Sequence, residues 1–285
     1  MDNDYSQAPK AEKRGMYLVL FISVVIALYY VLTAEPETTG WWIWKKTTIP
    51  FQFFAGAAFV FASVYIFALV RWYKTNKFST LTSILAFLLC GAISIVLGVW
   101  FNRLFIYASI EEINVEKGWW IFKRTETTYQ YTNNLFEFLV RSSAFAGLTE
   151  EPAKFLALLL VPRVRRAIVD KRSGLYYATL CAFGFALIEN IIYFEDYQAL
   201  LYTRANPGHA VFSSVWGAAY GAWVAKEVSF LRLIGCFGLG MGLHGLWNWS
   251  GSCAPSLFLI TFVATVWLGL VYIKKVLSAK KPAYV

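Results

Sequence analysis

Charge is scarce in this chain: only 15% of its 285 residues are Asp, Glu, Lys or Arg, while 58% are hydrophobic and 19% aromatic. A water-soluble domain cannot hide that much apolar surface, and a mean hydropathy of +0.52 reads as a polytopic membrane protein. Histidine is scarcer still, with His209 and His244 as its two occurrences. The four cysteines, Cys90, Cys181, Cys236 and Cys253, are scattered. They show no CxxC or other metal-type spacing, so they give neither a disulfide framework nor a structural zinc site. They read as small apolar packing residues. The zinc-protease signature HExxH is also missing. The net charge of +9 comes from Lys and Arg residues that flank apolar runs. It is therefore an orientation signal, not the footprint of a nucleic-acid partner.

Long apolar runs are what the chain has in abundance. Lys10, Lys13 and Arg14 precede the run 17–32, a pattern shared with signal peptides. The run is long and lacks a small-x-small cleavage site, so an uncleaved first transmembrane helix is expected. Eight stretches are long enough to span a bilayer: 16–33, 50–69, 80–101, 136–161, 175–194, 208–225, 233–249 and 256–273. With the N-terminus inside, the inner segments hold Lys10, Lys13, Arg14; Arg71, Lys74, Lys77; Arg163, Arg165, Arg166, Lys171, Arg172; Lys226, Arg232; and Lys274, Lys275, Lys280, Lys281. The outer segments hold fewer: Lys45, Lys46, Arg103, Lys117, Lys123, Arg124 and Arg204. This bias predicts an all-α fold of about eight transmembrane helices, N-in and C-in. The expected organisation is a tail with two accessory helices (1–79), a third helix with an extracytoplasmic segment (80–134), a catalytic core of four helices (135–250) and a last helix with a basic tail (251–285).

Trp41, Trp42, Trp44, Trp119 and Trp120 lie in outer segments, where amphipathic rings favour the membrane interface. The outer segment 103–134 mixes charge with Ile, Tyr and Trp, and is expected to form a small cap or to lie along the membrane surface. The fourth helix, 136–161, would be ~39 Å long against a ~30 Å hydrocarbon core, so it must tilt or protrude outward. That places Arg141 near the outer interface, and Pro152 is expected to kink the helix. Gly217 with Gly221, and Gly238 with Gly242, form GxxxG pairs with Gly235, Gly240 and Gly245 nearby, as expected for close helix packing in lipid.

The run Thr149-Glu150-Glu151-Pro152-Ala153-Lys154 puts three ionisable side chains inside an apolar helix. Such residues read by default as a functional site. Other polar groups share its depth: Phe185-Ala186-Leu187-Ile188-Glu189-Asn190, Asn206-Pro207-Gly208-His209 followed by Phe212, and His244-Gly245-Leu246-Trp247-Asn248. Helical rise puts Glu151 ~16 Å, His244 ~17 Å and Glu189 ~21 Å from the inner ends. His209 starts its helix from the outer side. Glu150 and Lys154 (i,i+4), Glu151 and Lys154 (i,i+3), and His244 and Asn248 (i,i+4) can each share a face. Carboxylates, imidazoles, an amide and an ammonium around one cavity suit amide hydrolysis, which needs a base for water, donors to the oxyanion and an acid for the leaving amine. One glutamate would serve as base and the other as ion-pair partner of Lys154.

The motifs Glu150-Glu151-x-x-Lys154, Phe185-x-x-x-Glu189-Asn190, His209-x-x-Phe212 and His244-x-x-x-Asn248 resemble the PrsW family of intramembrane proteases. That family is related to the type II CAAX prenyl endopeptidases and the bacteriocin-processing enzymes of the same superfamily. The resemblance covers roughly 135–250. It implies a glutamate-dependent, membrane-embedded endopeptidase of a prokaryotic cytoplasmic membrane, of the kind that makes the site-1 cut in a membrane-bound anti-sigma factor. The substrate would then be a single-pass membrane protein. By position, Glu150 resembles the water-activating base, Glu151 its partner and Lys154 their anchor. Glu189 falls where the CAAX relatives use histidine, and His244 and Asn248 match the oxyanion-stabilising pair. His209 is counted with the catalytic set, and Asn190, Phe185 and Phe212 with substrate binding. No cofactor is favoured.

Three other readings compete. A zinc-dependent, CAAX-type or prenyl-protein protease would draw on His209, His244 and Glu189. A proton-coupled transporter would use buried Glu, His and Lys as a relay, although no inverted repeat is evident. A non-catalytic membrane subunit could keep the same residues.

Overall fold

The computed structural model describes residues 8–33, 37–39, 46–48, 51–74, 78–117, 124–192, 207–253 and 255–279. Trp41, Trp42, Trp44, Trp119, Trp120 and Asn206 lie outside the described residues, as do Lys45, Lys77, Lys123, Arg204, Lys280, Lys281 and the last two residues of the expected 175–194 span.

Helix dominates, because long runs of Leu, Ile, Val, Phe and Ala in lipid must satisfy their backbone groups internally. In chain order the helices are α1 (Ala8–Thr33), α2 (Phe51–Trp72), α3 (Thr80–Ser109), α4 (Asn134–Arg141), α5 (Ala146–Leu160), α6 (Pro162–Ala167), α7 (Lys171–Ile192), α8 (Gly208–Val224), α9 (Phe230–Cys253) and α10 (Pro255–Ser278). Among the described residues, five helices are long and apolar enough to cross a membrane: Phe51–Trp72, Thr80–Ser109, Lys171–Ile192, Phe230–Cys253 and Leu257–Ser278. Their outward faces carry Val96, Trp100, Leu231, Leu259, Trp267 and Leu268, all exposed in the isolated chain, as expected of surfaces that meet lipid.

The structure departs from the expected fold in three places. The 136–161 stretch is not one continuous helix. It breaks at Ser142–Phe145 into α4 and α5, with Ser143 at a φ of 55°. Neither piece therefore has to tilt or protrude by the length of the whole, and Arg141 ends α4, exposed and paired with Glu137 at 2.7 Å. The 103–134 segment, expected as a small cap or a stretch along the membrane surface, carries a β-ribbon that the all-α expectation did not include. α3 runs on to Ser109, then β3 (Ile110–Lys117) pairs antiparallel with β4 (Arg124–Tyr131), Ile110 opposite Tyr131 and Lys117 opposite Arg124. The Ile-Glu-Glu-Ile-Asn-Val alternation and the Thr/Tyr run of β4 are β-forming patterns. A second hairpin, β1 (Glu37–Thr39) with β2 (Lys46–Thr48), lies between α1 and α2. The all-α expectation thus holds for the membrane part and misses both ribbons.

Glycines set the helix crossings. A Cβ on Gly184 of α7 would lie 1.8 Å from the Phe87 carbonyl oxygen of α3, within the π-helical turn Leu85–Cys90. On α8, Gly217 and Gly221 pack on α7 as the GxxxG pattern predicts: added Cβ atoms would meet Ala178 Cβ at 2.3 Å and the Asp170 carbonyl oxygen at 2.2 Å. The second expected pair fails. Gly238 and Gly242, like Gly235, have nothing within 4 Å of such an atom. At 100° per residue they lie on the far side of α9 from Gly240 and His244, whose face is turned inward. The aromatic core fills the remaining space, with Trp216, Tyr176 and Tyr177 buried and Tyr73 stacked on Tyr176 at 4.0 Å. Cys90 and Cys181 are buried within it, and all four cysteines are free thiols.

At the basic end, Glu12 of α1 accepts the Thr80 backbone N–H at 2.9 Å. It sits at the α3 N-terminus, where amide dipoles favour an anion. That hydrogen bond holds its carboxyl below the ordinary range. Lys13 donates to the Tyr73 carbonyl, so α1 is tied to both α2 and α3.

Adding a methyl at Gly184 forces α3 and α7 apart, an overpacking cost of ~1–3 kcal/mol. The expected outcome is a lower thermal midpoint of the detergent-solubilised protein for Gly184→Ala. Gly238→Ala should leave the midpoint unchanged or raise it, since Ala is the better helix former.

Candidate active site

The site is built around α5, and the break before it sets its start. Asn133 caps α4 by accepting the Phe136 N–H, and the helix ends at Ser142. The Ser143 carbonyl then accepts Asn248 Nδ2 of α9 at 3.2 Å. One turn later, a Cβ on Gly147 would lie 2.2 Å from the Met241 carbonyl oxygen, so α5 and α9 touch backbone to backbone. Glu150, Glu151 and Lys154 follow on the buried side of α5, and the helix continues through Pro152 to Leu160.

Glu151 is fully buried and collects four hydrogen bonds from three helices. Its Oε1 accepts Lys154 Nζ at 2.7 Å and His244 Nδ1 at 3.0 Å; its Oε2 accepts Ser213 Oγ at 2.7 Å and Trp216 Nε1 at 2.8 Å. A carboxylate has about four acceptor sites, so this one is saturated. Lys154, also fully buried, spends its charge on the same group, with Nζ 4.0 Å from Glu150 Oε2 and 4.2 Å from the Phe185 ring centroid. Its ammonium only donates, so His209 Nδ1, at 3.1 Å, is an acceptor. That tautomer places the His209 proton on Nε2, 2.9 Å from Glu189 Oε2.

His244 is held the other way round. A carboxylate can only accept, so Nδ1 carries the proton given to Glu151, and Nε2 faces Glu150 Oε2 at 3.7 Å. Phe212 stacks on its ring at a centroid distance of 5.0 Å, and His209 meets it edge-on at 4.9 Å. Phe185 packs on His209 at 5.2 Å. Phe185 and Phe212, expected at a substrate surface, are both buried against the imidazoles. Asn190 is buried on α7, one residue beyond Glu189.

The structure therefore brings Glu150, Glu151, Lys154, Glu189, His209 and His244 into one connected cluster from α5, α7, α8 and α9. Asn248 lies one turn beyond His244, with one amide N–H given to the helix break.

Sequence reasoning missed several members. Ser213 and Trp216 fall four and seven residues after His209, on the face that a helix turns toward one partner, and that spacing was the available signal. Asn102 of α3 had none. It hydrogen-bonds Thr149 Oγ1, next to Glu150, while the face one turn below it is Gly98, where an added Cβ would lie 3.8 Å from Glu150 Cγ. α3 thus closes the fifth side of the site.

Residues 79–273 match a PrsW family intramembrane metalloprotease. The chain belongs to that family. It is accordingly a multi-pass membrane peptidase, and its substrate is a protein of the lipid bilayer. No curated protein and no solved structure matches the chain.

The PrsW description implies a metal, and the residues can be tested for one. Glu150, His209 and His244 each offer a ligand atom, all within 4.8 Å of one another. Two imidazoles and a carboxylate are a donor set used by catalytic zinc, and Glu151 behind His244 is the carboxylate–histidine support such ligands have. The set fits in type and spacing. It differs from the sequence expectation in using Glu150 and not Glu189, which is engaged with His209 instead. Both His209 nitrogens already have partners, so holding an ion there would cost His209 its contact with Glu189 or with Lys154.

Removing one partner of a buried ion pair costs ~3–5 kcal/mol because the other charge is stranded. Lys154→Met should therefore lower the thermal midpoint and the folded yield sharply. Glu150→Gln, which keeps the shape of the side chain, should stay within about 1 kcal/mol of wild type. Equal losses in a melting comparison would show that Glu150 is as tightly bound into the fold as the Lys154–Glu151 pair.

Proposed function

We propose that this chain is a glutamate-dependent endopeptidase that cuts a single-pass membrane protein near the extracytoplasmic side. The cut would begin a regulated proteolytic sequence of the anti-sigma-factor type. The observation that carries this reading is the unequal treatment of the two glutamates. Glu151 is saturated by four donors, while Glu150 stands beside His244 Nε2 at 3.7 Å.

In this reading Glu150 takes a proton from a water molecule as its oxygen attacks the peptide carbonyl. His244, with Nδ1–H on Glu151, has Nε2 available for an added proton. Glu150 passes it the proton taken from water, and the resulting Nε2–H hydrogen-bonds the oxyanion together with the second N–H of Asn248. When the C–N bond breaks, the leaving amine takes the proton that Glu150 removed from water. Lys154 fixes Glu151 and His209, and Glu189 orients His209. Phe185 and Phe212 limit water around the imidazoles, and Asn190 contributes on the substrate side.

The same reading takes the chain as N-in and C-in with eight spans, supported by the inner excess of Lys and Arg. α1, α5 and α8 then span beside the five apolar helices named above.

A second reading is favoured by the Glu150, His209 and His244 cluster. A zinc ion held there would polarise the carbonyl and acidify bound water. His244 and Glu150 would keep their places in either case.

The test is N-terminal proteomics of membranes from cells carrying wild-type, Glu150→Gln or His244→Ala protein at equal expression. Both variants should abolish the same new N-terminus, a loss of at least about a hundredfold for a general base. Purified wild-type enzyme should keep its activity in chelator and carry no stoichiometric metal by elemental analysis. Activity lost with chelator and restored by zinc would select the second reading, and cleavage retained in both variants would sink the mechanism.

A further inference from the structure

The hairpin β3–β4 joins two helices that border the site. β3 continues α3, whose Asn102 bonds Thr149 beside Glu150. β4 leads through Asn133 and α4 to the break that opens α5. Gly98, the α3 residue beside Glu150, lies eleven residues of helix below Ser109, so the base of the ribbon is about 16 Å above Glu150.

The ribbon is two-stranded among the described residues, with the order β3-β4 and no third strand. A lone two-stranded ribbon is only marginally stable, and each strand presents an edge of backbone groups. The register says which groups these are. Thr132 N–H donates to the Ser109 carbonyl at 2.9 Å, so residue 132 points its backbone groups at the partner strand. Direction alternates along a strand, and the pairing runs without a bulge from Ile110–Tyr131 to Lys117–Arg124. Gln130 and Thr128 therefore point inward, whereas Tyr131, Tyr129 and Thr127 aim N–H and C=O away from β3. Tyr129 is 67% exposed, and among the described residues no strand pairs with this edge.

A peptide bond inside a helix has its carbonyl and amide engaged and its carbonyl faces shielded by neighbouring turns, so a protease must receive its substrate extended. We propose that the outer edge of β4 is the docking strand for the substrate, which adds to it as a third, extended strand from the segment flanking its membrane span. This rests on the hydrolase reading above. Main-chain hydrogen bonds to Tyr129 and Tyr131 give affinity with little sequence demand. The ~16 Å from the ribbon base to Glu150 equals about five extended residues at 3.3 Å each. The scissile bond is then five or six residues from the last paired residue.

Proline at an outward-facing position removes the edge donor and leaves the β3–β4 ladder bonds intact. Full-length Tyr129→Pro is compared with wild type and Glu150→Gln by N-terminal proteomics of membranes. In parallel, Tyr129 is replaced by benzoylphenylalanine in the Glu150→Gln protein and cross-linked by light in intact membranes. The new N-terminus that Glu150→Gln abolishes should fall about tenfold in Tyr129→Pro, the equivalent of one or two net backbone hydrogen bonds. The adduct should join position 129 to the same protein, within a few residues of its cut. An unchanged N-terminus, or an adduct between two copies of this chain, overturns the docking while leaving the hydrolase reading in place. If Glu150→Gln abolishes no N-terminus, the hydrolase reading falls and the docking falls with it.

Discussion

A lysine and a glutamate removed from both water and lipid can stay charged only if each answers the other and their remaining hydrogen-bonding capacity is filled. The Lys154–Glu151 pair meets that condition at 2.7 Å, with neither side chain exposed. Filling the rest recruits three further helices. Ser213 and Trp216 come from α8 and His244 from α9, while Phe185 of α7 lies under the ammonium. Desolvation of such a pair costs several kcal/mol per ion, so the surrounding groups must be held in register. The glycine contacts at Gly147, Gly184, Gly217 and Gly221 hold them by letting helix backbones meet. Packing and electrostatics are thus one arrangement here, and the imidazole orientations follow from it.

The same pair divides the labour between two adjacent carboxylates. Consecutive helical residues point about 100° apart. Glu151 therefore faces α8 and α9 while Glu150 turns toward α3, where Gly98 makes room for its methylene. One glutamate becomes the anchor of the bundle and its neighbour faces the edge of the imidazole that the anchor orients. The asymmetry arises from geometry alone, since the two side chains are chemically identical.

Most of this site was legible in the sequence because ionisable residues in apolar runs are conspicuous. Glu150, Glu151, Lys154, Glu189, His209 and His244 stand out on that basis and meet in space. Ser213, Trp216 and Asn102 do not stand out, since hydroxyls, indoles and single amides are common in membrane helices and carry no charge to betray their depth. The break at Ser142–Phe145 was hidden as well: Ser-Ser-Ala-Phe contains neither Gly nor Pro, and the turn depends on a contact from Asn248, more than a hundred residues away. Periodicity likewise cannot say which of several glycines faces a neighbour. Gly238 and Gly242 have the expected spacing and the wrong azimuth.

One consequence follows from the length of the helix that bears both glutamates. In the eight-span arrangement proposed above, α5 at 15 residues covers about 22 Å and α8 at 17 residues about 26 Å of a ~30 Å hydrocarbon layer. Hydrophobic mismatch of this size is relieved by local thinning of the bilayer. Leu148, Leu156 and Leu160 are exposed on the face of α5 away from the two glutamates, so thinning in that arrangement would fall beside the catalytic layer. Water would then reach Glu150 over a shorter path than the nominal membrane depth implies, and the acyl-chain length of the host membrane would set how wet the site is.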